Sequence, residues 1–141
     1  MRYLAIDYGT RRTGLAICDP METIVSPLAV VDSRKDLLKK IGEIIETENV
    51  EAVVVGLPLN MDDTKGPQAQ LALKFTEQLK KKVQIPVYLQ DERLSSFGAE
   101  EKLAPAQYSR SKKKERLDAV AASEILELFL EQKSSNDKTP D

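Results

Sequence analysis

Hydrophobic and polar residues alternate along the chain in a way that predicts strands first and helices later. Short apolar runs at 2–7, 13–19 and 23–31 are separated by turn residues, a pattern typical of strands. The first two runs flank a short turn and predict a hairpin. Pro27 places the third strand at a sheet edge or a bulge, because proline cannot donate to a sheet ladder.

The rest of the chain alternates helix and strand patterns. The predicted elements are an amphipathic helix at 33–48 capped by Ser33, a strand at 51–58, a helix at 67–82, a strand at 85–93, and a helix that begins between Ser111 and Leu117 and ends near Leu130. Three strands followed by alternating helices and strands build a mixed sheet with helices on both faces. The predicted fold class is therefore α/β with three layers.

Length and composition indicate one globular domain. The chain has 141 residues, of which 41% are hydrophobic and 31% charged. We expect this domain to occupy 1–132 and a disordered tail to occupy 133–141, while 104–113, which lacks periodicity, is expected to be a mobile loop. No apolar run approaches the roughly 18 residues of a membrane span, so we expect a cytoplasmic protein with no membrane contact.

The absence of histidine narrows the chemistry. Ser-His-Asp and Cys-His nucleophile systems and zinc sites with His ligands are excluded. The one cysteine, Cys18, lacks basic neighbours that would activate its thiol, which favours a core position. Any metal must be bound by oxygen, and oxygen ligands favour Mg²⁺ or Mn²⁺.

Acidic residues occur where ligands bind in open α/β sheets, at the ends of strands. Asp7 closes the first strand, Asp91 and Glu92 close the last, and Asp118 lies beside the apolar stripe of the final helix. Singly, these acids could serve turns, a helix cap, or an ion pair with Lys114. Together at one edge they would repel each other unless a divalent cation neutralised them.

Basic residues are concentrated in one segment although the net charge is −2. The segment 110–116, RSKKKER, precedes or opens the last predicted helix, where positive charge opposes the helix dipole. A nucleic-acid backbone would compensate that charge, and the alternative is a solvated loop. Only 5% of residues are aromatic, which argues against recognition base by base.

The first hairpin also carries a motif of the kind that binds phosphate. Gly9 and Thr10 follow Asp7 and Tyr8, and glycine lets backbone amides approach a phosphate closely. Asp-x-Gly-Thr at a first hairpin also occurs in sugar kinases and actin-like ATPases. Those proteins bind nucleotide between two such domains, whereas this chain supplies one.

Four segments together resemble the YqgF family, also called RuvX, of pre-16S rRNA nucleases, which were first described as similar to Holliday junction resolvases. The segments are IDYGTRRTGLAI at 6–17, VVVGLPLNMDDTKGPQA at 53–69, LQDERLSS at 89–96 and LDAVAASEIL at 117–126. The resemblance covers about residues 1–130. It implies a ribonuclease H-like nuclease domain at 1–132, a cytoplasmic location and a role in maturing the 5′ end of 16S rRNA.

The resemblance also implies the site residues. Asp7 matches the acid of the first strand, Glu92 the acid after the fourth core strand, and Asp118 the acid of the last helix; Asp91 is the alternative to Glu92. These three would bind Mg²⁺ or Mn²⁺ for metal-assisted hydrolysis of a phosphodiester. The side chains expected to hold the substrate backbone are Arg11, Arg93, Lys112, Lys113, Lys114 and Arg116.

The chain departs from the family pattern at two places. Asp62 and Asp63 stand where the family has Asp-Gly in the loop after the fourth strand. Related resolvases carry a second acid one turn after the helix acid, but Ala121 and Ala122 occupy those positions here. The site is therefore expected to be one ligand short, unless Glu115 substitutes.

Two other functions remain open from the sequence. A four-way-junction DNA resolvase would use the same site but would need a two-fold dimer to cut two strands symmetrically. A non-catalytic ribosome-assembly factor would bind RNA without binding metal strongly. The sequence leaves undecided the oligomeric state, endonuclease or exonuclease action, and one metal or two.

Overall fold

A computed structural model gives the architecture of the chain. It describes residues 1–59, 64–92 and 110–137, and in the last helix it describes the side chains of 119–134. Within these ranges no helix is both long and apolar enough to cross a membrane.

Five strands form one mixed sheet. The elements in chain order are β1 (Tyr3–Asp7), β2 (Arg12–Cys18), β3 (Val25–Asp32), α1 (Leu37–Thr47), β4 (Ala52–Leu57), α2 (Pro67–Lys82), β5 (Val87–Asp91) and α3 (Arg110–Asp137). The spatial order is β3-β2-β1-β4-β5. β1 and β2 form the predicted antiparallel hairpin, and β4 pairs in parallel with both β1 and β5. The carboxyl ends of β1, β4 and β5 therefore meet at one edge of the sheet.

β3 confirms the expectation drawn from proline. It pairs antiparallel with β2 alone and is the outermost strand on one side of the sheet. Leu15 pairs with Ala29 but Ala16 pairs with Pro27, so Leu28 is an extra residue in β3 at this irregularity. A bulge at an edge strand is where proline is tolerated, because no neighbouring strand needs its missing N–H.

Helices cover both faces of the sheet, which confirms the three layers. Leu4 and Ile6 of β1 pack with Ile41 of α1 and Phe75 of α2 on one face. The alternate β1 residues, Tyr3 and Ala5, pack on the other face with α3, whose buried residues there are Ala122, Ile125 and Leu126. Because strand residues alternate between faces, the even-numbered residues of β1 face α1 and α2, and the odd-numbered residues face α3.

The start of α1 corrects the prediction that Ser33 caps this helix. α1 begins at Leu37, and Asp36 precedes it in a left-handed conformation with φ of 51°. Ser33 instead donates its N–H to the carbonyl of Arg11 at 2.9 Å, and its hydroxyl lies 2.7 Å from the Thr13 hydroxyl. These contacts hold Ser33 against the β1–β2 hairpin, which moves the helix start three residues on.

α3 is longer at both ends than its predicted range. It begins at Arg110, so 110–113 is helical rather than part of a mobile loop, while 104–109 lies outside the described residues. It also continues through 133–137, which we expected to belong to the tail. Lys133 forms an ion pair with Glu22 at 2.9 Å, and this contact fixes the helix beyond Gln132. Residues 138–141 are outside the described ranges.

Candidate functional site

Asp7 lies at the carboxyl end of β1, half-buried, on the face covered by α3. Its position follows from strand parity, because Tyr3 and Ala5 lie on that face. The tight turn that follows requires Gly9, since a Cβ there would press against the carbonyl oxygen of Arg12. Glycine thus lets β2 return immediately after Asp7 and keeps the carboxylate at the sheet edge.

Glu92 shares this face with Asp7, and Gly56 provides the space between them. Ile6 pairs with Val55, so Asp7 lies beside Gly56 at about one strand spacing, roughly 4.8 Å. A Cβ on Gly56 would overlap the Oε2 atom of Glu92 and lie 3.2 Å from its Cδ. The Glu92 carboxylate therefore lies over β4, on the face where Asp7 lies one strand away.

Strand alternation separates Glu92 from Asp91. Tyr88 contacts Phe129 of α3, with ring centroids 5.6 Å apart, and the Gln90 amide donates to Gln132 of α3 at 3.1 Å. Residues 88 and 90 thus face α3, and Glu92 continues that series whereas Asp91 does not. The geometry favours Glu92 as the partner of Asp7, the choice that the family resemblance implied.

The environment of Glu92 disfavours its charged form. Burial raises the pKa of this carboxyl from 4.5 to about 7, and the negative charge of neighbouring Asp91 adds to that shift. Ionising Glu92 therefore costs free energy at the sheet edge. A bound cation would offset that cost.

Glu92→Gln should stabilise the metal-free protein at alkaline pH. The folded-state pKa of Glu92 exceeds its ordinary value, so between pH 4.5 and about 7 the folded protein binds more protons than the unfolded chain, and stability falls as pH rises. Gln removes that loss. We expect the free energy of unfolding at pH 8 in EDTA to rise by about 2 kcal/mol, with little change near pH 4.

Urea denaturation at the two pH values measures this difference. Glu51→Gln is the matched control, because Glu51 is exposed at the opposite end of β4 and should change stability by less than about 0.5 kcal/mol at either pH. An equal effect of Glu92→Gln at both pH values would contradict the assignment of the pKa shift.

α3 begins on the side of the acidic edge and runs towards the amino ends of the strands. Phe129 packs on Tyr3 at the start of β1, with centroids 5.1 Å apart, and Ile125 would lie 2.5 Å from a Cβ on Gly56. Position 118 lies on the same helical stripe, one turn before Ala122 and two before Ile125. The backbone thus carries Asp118 towards Asp7 and Glu92, while its side chain lies outside the described part of the structure.

The other predicted site residues are distributed as follows. Arg11 is exposed in the β1–β2 turn, four residues after Asp7. Lys112, Lys113, Lys114, Glu115 and Arg116 lie in the first two turns of α3, where the structure describes the backbone alone. Arg93, Asp62 and Asp63 lie outside the described residues.

The two described carboxylates suit a hard divalent cation. Across the residues that the structure describes, no group of three acidic, cysteine or histidine side chains comes together, and the side chain of Asp118, the third predicted ligand, is not among them. The fit rests on chemistry: Glu92 is a half-buried oxygen donor whose carboxylate lies over Gly56, and Asp7 adds a second oxygen donor on the same face. These residues fit Mg²⁺ or Mn²⁺.

Sequence reasoning missed two features of the structure, one in the candidate site and one on the opposite face of the sheet. The first is Gly56, whose signal was a glycine at the end of an otherwise continuous apolar strand, a place where close approach is common. The second is a cleft of about 410 Å³ on the opposite face, lined in part by Tyr8, Phe75, Lys39 and Lys82. The Tyr8 and Phe75 rings stack there with centroids 4.6 Å apart. No pattern in the sequence joins these distant positions.

Two solved structures that share this fold are resolvases. Thermus thermophilus RuvC bound to a Holliday junction matches with a TM-score of 0.56 and 18% identity, covering 95% of this chain and 96% of that one. Fowlpox virus resolvase, also with junction DNA, matches with a TM-score of 0.56 and 15% identity, covering 94% and 98%. Sheet order and helix layers together place the chain in the class of ribonuclease H-like folds.

Sequence comparison identifies the family within that class. The profile of the RuvX family, described as "Holliday junction resolvase", matches residues 1–132, and this chain belongs to that family. Proteins of Roseiflexus sp. (strain RS-1) and Maridesulfovibrio salexigens, both named "Putative pre-16S rRNA nuclease", are 39% and 40% identical over 132 residues. The alignments cover 92% of this chain and 94% and 98% of theirs. The chain is therefore a nuclease, an enzyme that hydrolyses phosphodiester bonds.

Proposed function

We propose that this protein is a divalent-metal-dependent nuclease that processes the 5′ end of pre-16S rRNA in the cytoplasm. The observation that carries the chemistry is the convergence of Asp7 and Glu92 on one face of the sheet edge, with Gly56 leaving room between them. The substrate rests on the names of relatives near 40% identity that align over nearly their full length.

Each site residue has a distinct task in this proposal. Asp7 and Glu92 bind the cation with Asp118 as the third ligand, and Glu92 must lose its proton first because burial raises its pKa. Mg²⁺ or Mn²⁺, when bound, supplies a Lewis acid for hydrolysis of the phosphodiester. Arg11, Arg93 and the basic first turns of α3 hold the substrate backbone in register.

A cleavage assay tests the proposal. End-labelled RNA spanning the 16S 5′ leader and a labelled four-way DNA junction are incubated with the full chain in Mg²⁺, Mn²⁺ or EDTA. We expect cleavage of the RNA with either metal, products ending in a 5′-phosphate, and no cleavage in EDTA. The absence of metal-dependent cleavage, with RNA still bound, would overturn the nuclease assignment in favour of an assembly factor.

The second candidate is a junction resolvase, favoured by the description of the family and by the fold of its structural neighbours. It predicts preferential, paired cuts in the four-way junction and a dimer in solution. Sedimentation analysis alongside the cleavage assay separates the two, since a monomer that cuts only the RNA leaves the rRNA nuclease as the explanation.

A further inference from the structure

A basic groove lies beside the β1–β2 turn, beyond the acidic site. Its volume is about 230 Å³, and the residues that line it are Arg11, Arg12, Val30, Val31, Asp32 and Arg34. We call it the arginine groove. Three arginines and one aspartate contribute to its lining, in a protein whose overall charge is −2.

Tertiary contacts bring these arginines together. Arg12 of β2 lies opposite Asp32 of β3 in the register of the two strands. The N–H of Ser33 donates to the carbonyl of Arg11 at 2.9 Å, which ties the segment after β3 to the β1–β2 turn. The groove is thus formed by two chain segments joined through backbone contacts.

Asp32 orients the guanidinium group of Arg34. Arg34 donates from Nε to Oδ1 of Asp32 at 3.0 Å and from Nη2 to Oδ2 at 3.1 Å, while the side chain stays 61% exposed. These bonds use two of the five N–H donors of a guanidinium. The other donors are held in a fixed plane, a geometry that suits a phosphate.

The groove lies on the same edge of the sheet as Asp7. β2 runs antiparallel to β1 and β3 antiparallel to β2, so the start of β2 and the end of β3 share the edge where β1 ends. β3 is two strands from β1, or about 10 Å. Glu92, after β5, lies on the other side of Asp7.

We propose that the arginine groove binds the phosphate backbone of the nucleic-acid substrate adjacent to the cleaved bond, on the side of Asp7 opposite Glu92. This inference rests on the proposed nuclease function and adds Arg34 to the backbone contacts. Because the contacts are to phosphate, the groove fixes the register of the strand without reading its sequence.

Binding measurements on full-length protein test the groove. The probe is a fluorescently labelled single-stranded RNA of about 20 nucleotides from the 16S leader, in EDTA, between about 50 and 200 mM NaCl. Arg34→Gln should weaken binding about tenfold and reduce the slope of log K against log salt by about 0.7. Arg11→Gln, which leaves the Asp32–Arg34 pair intact, should give a similar loss.

Lys80→Gln is the control that removes the same charge elsewhere. Lys80 is 48% exposed on α2 and lies 3.9 Å from Glu77, and its loss should change affinity by less than about twofold. In cleavage assays Arg34→Gln should raise KM with kcat within about twofold of wild type, as expected for uniform binding.

The possible results separate the two proposals. Unchanged affinity in both arginine variants, with RNA still bound by wild type, would overturn the groove and leave the nuclease proposal standing. Wild-type protein that neither binds nor cleaves RNA or junction would overturn both. The same loss measured on a four-way DNA junction would retain the groove and replace the substrate.

Discussion

Asp7→Asn should lower the rate of RNA cleavage on the order of 10³-fold or more without unfolding the protein. Asparagine has nearly the size and shape of aspartate but lacks the charge that binds a cation. The backbone of residue 7 pairs with Gly14 in the β1–β2 ladder, and this pairing does not depend on the carboxylate. Single-turnover cleavage in saturating Mn²⁺ measures the loss.

Two further measurements make the Asp7 result specific. Glu51→Gln, at the opposite edge of the sheet, also removes one carboxylate and should retain activity within about twofold of wild type. Thermal unfolding in EDTA should place Asp7→Asn within a few degrees of wild type. Undiminished cleavage by a folded Asp7→Asn protein would remove this edge from consideration as the active site.

Gly56→Ala should lower cleavage about 10²-fold by displacing Glu92, a larger effect than its cost in stability. The added Cβ would occupy the space of the Glu92 carboxylate and of the Ile125 methyl group. Ile125 is buried in the α3 layer and has little room to move, so Glu92 must turn away from Asp7. Because both contacts involve side-chain ends, the unfolding free energy should fall by only about 1 kcal/mol.

Gly42→Ala is the matched control, because it adds the same Cβ at a position where there is room for it. Gly42 lies in α1, and an added Cβ there would meet no atom within 4 Å. Alanine should stabilise that helix by about 0.5–1 kcal/mol and leave cleavage unchanged. Equal activity of the two alanine variants would show that the position of the Glu92 carboxylate does not matter for turnover.

Much of the fold follows from short-range pattern. Three features were predictable from short stretches of sequence. Two apolar runs around a short turn predict the β1–β2 hairpin, Pro27 predicts the edge position of β3, and the helix between β4 and β5 predicts that these strands are parallel. The ends of helices were not predictable. Ser33 makes a tertiary contact with Thr13 instead of capping α1, and α3 continues through Lys133, which pairs with Glu22, a residue 111 positions earlier.

The same division applies to the site. The sequence by itself determined oxygen-ligand chemistry, through the lack of histidine, and the acids at strand ends. Only the tertiary structure showed that Glu92 lies on the face of the sheet that Asp7 shares, that Gly56 makes room for its carboxylate, and that Arg34 joins Arg11 in one groove. These outcomes depend on strand register and on contacts between residues far apart in the chain, which local periodicity does not encode.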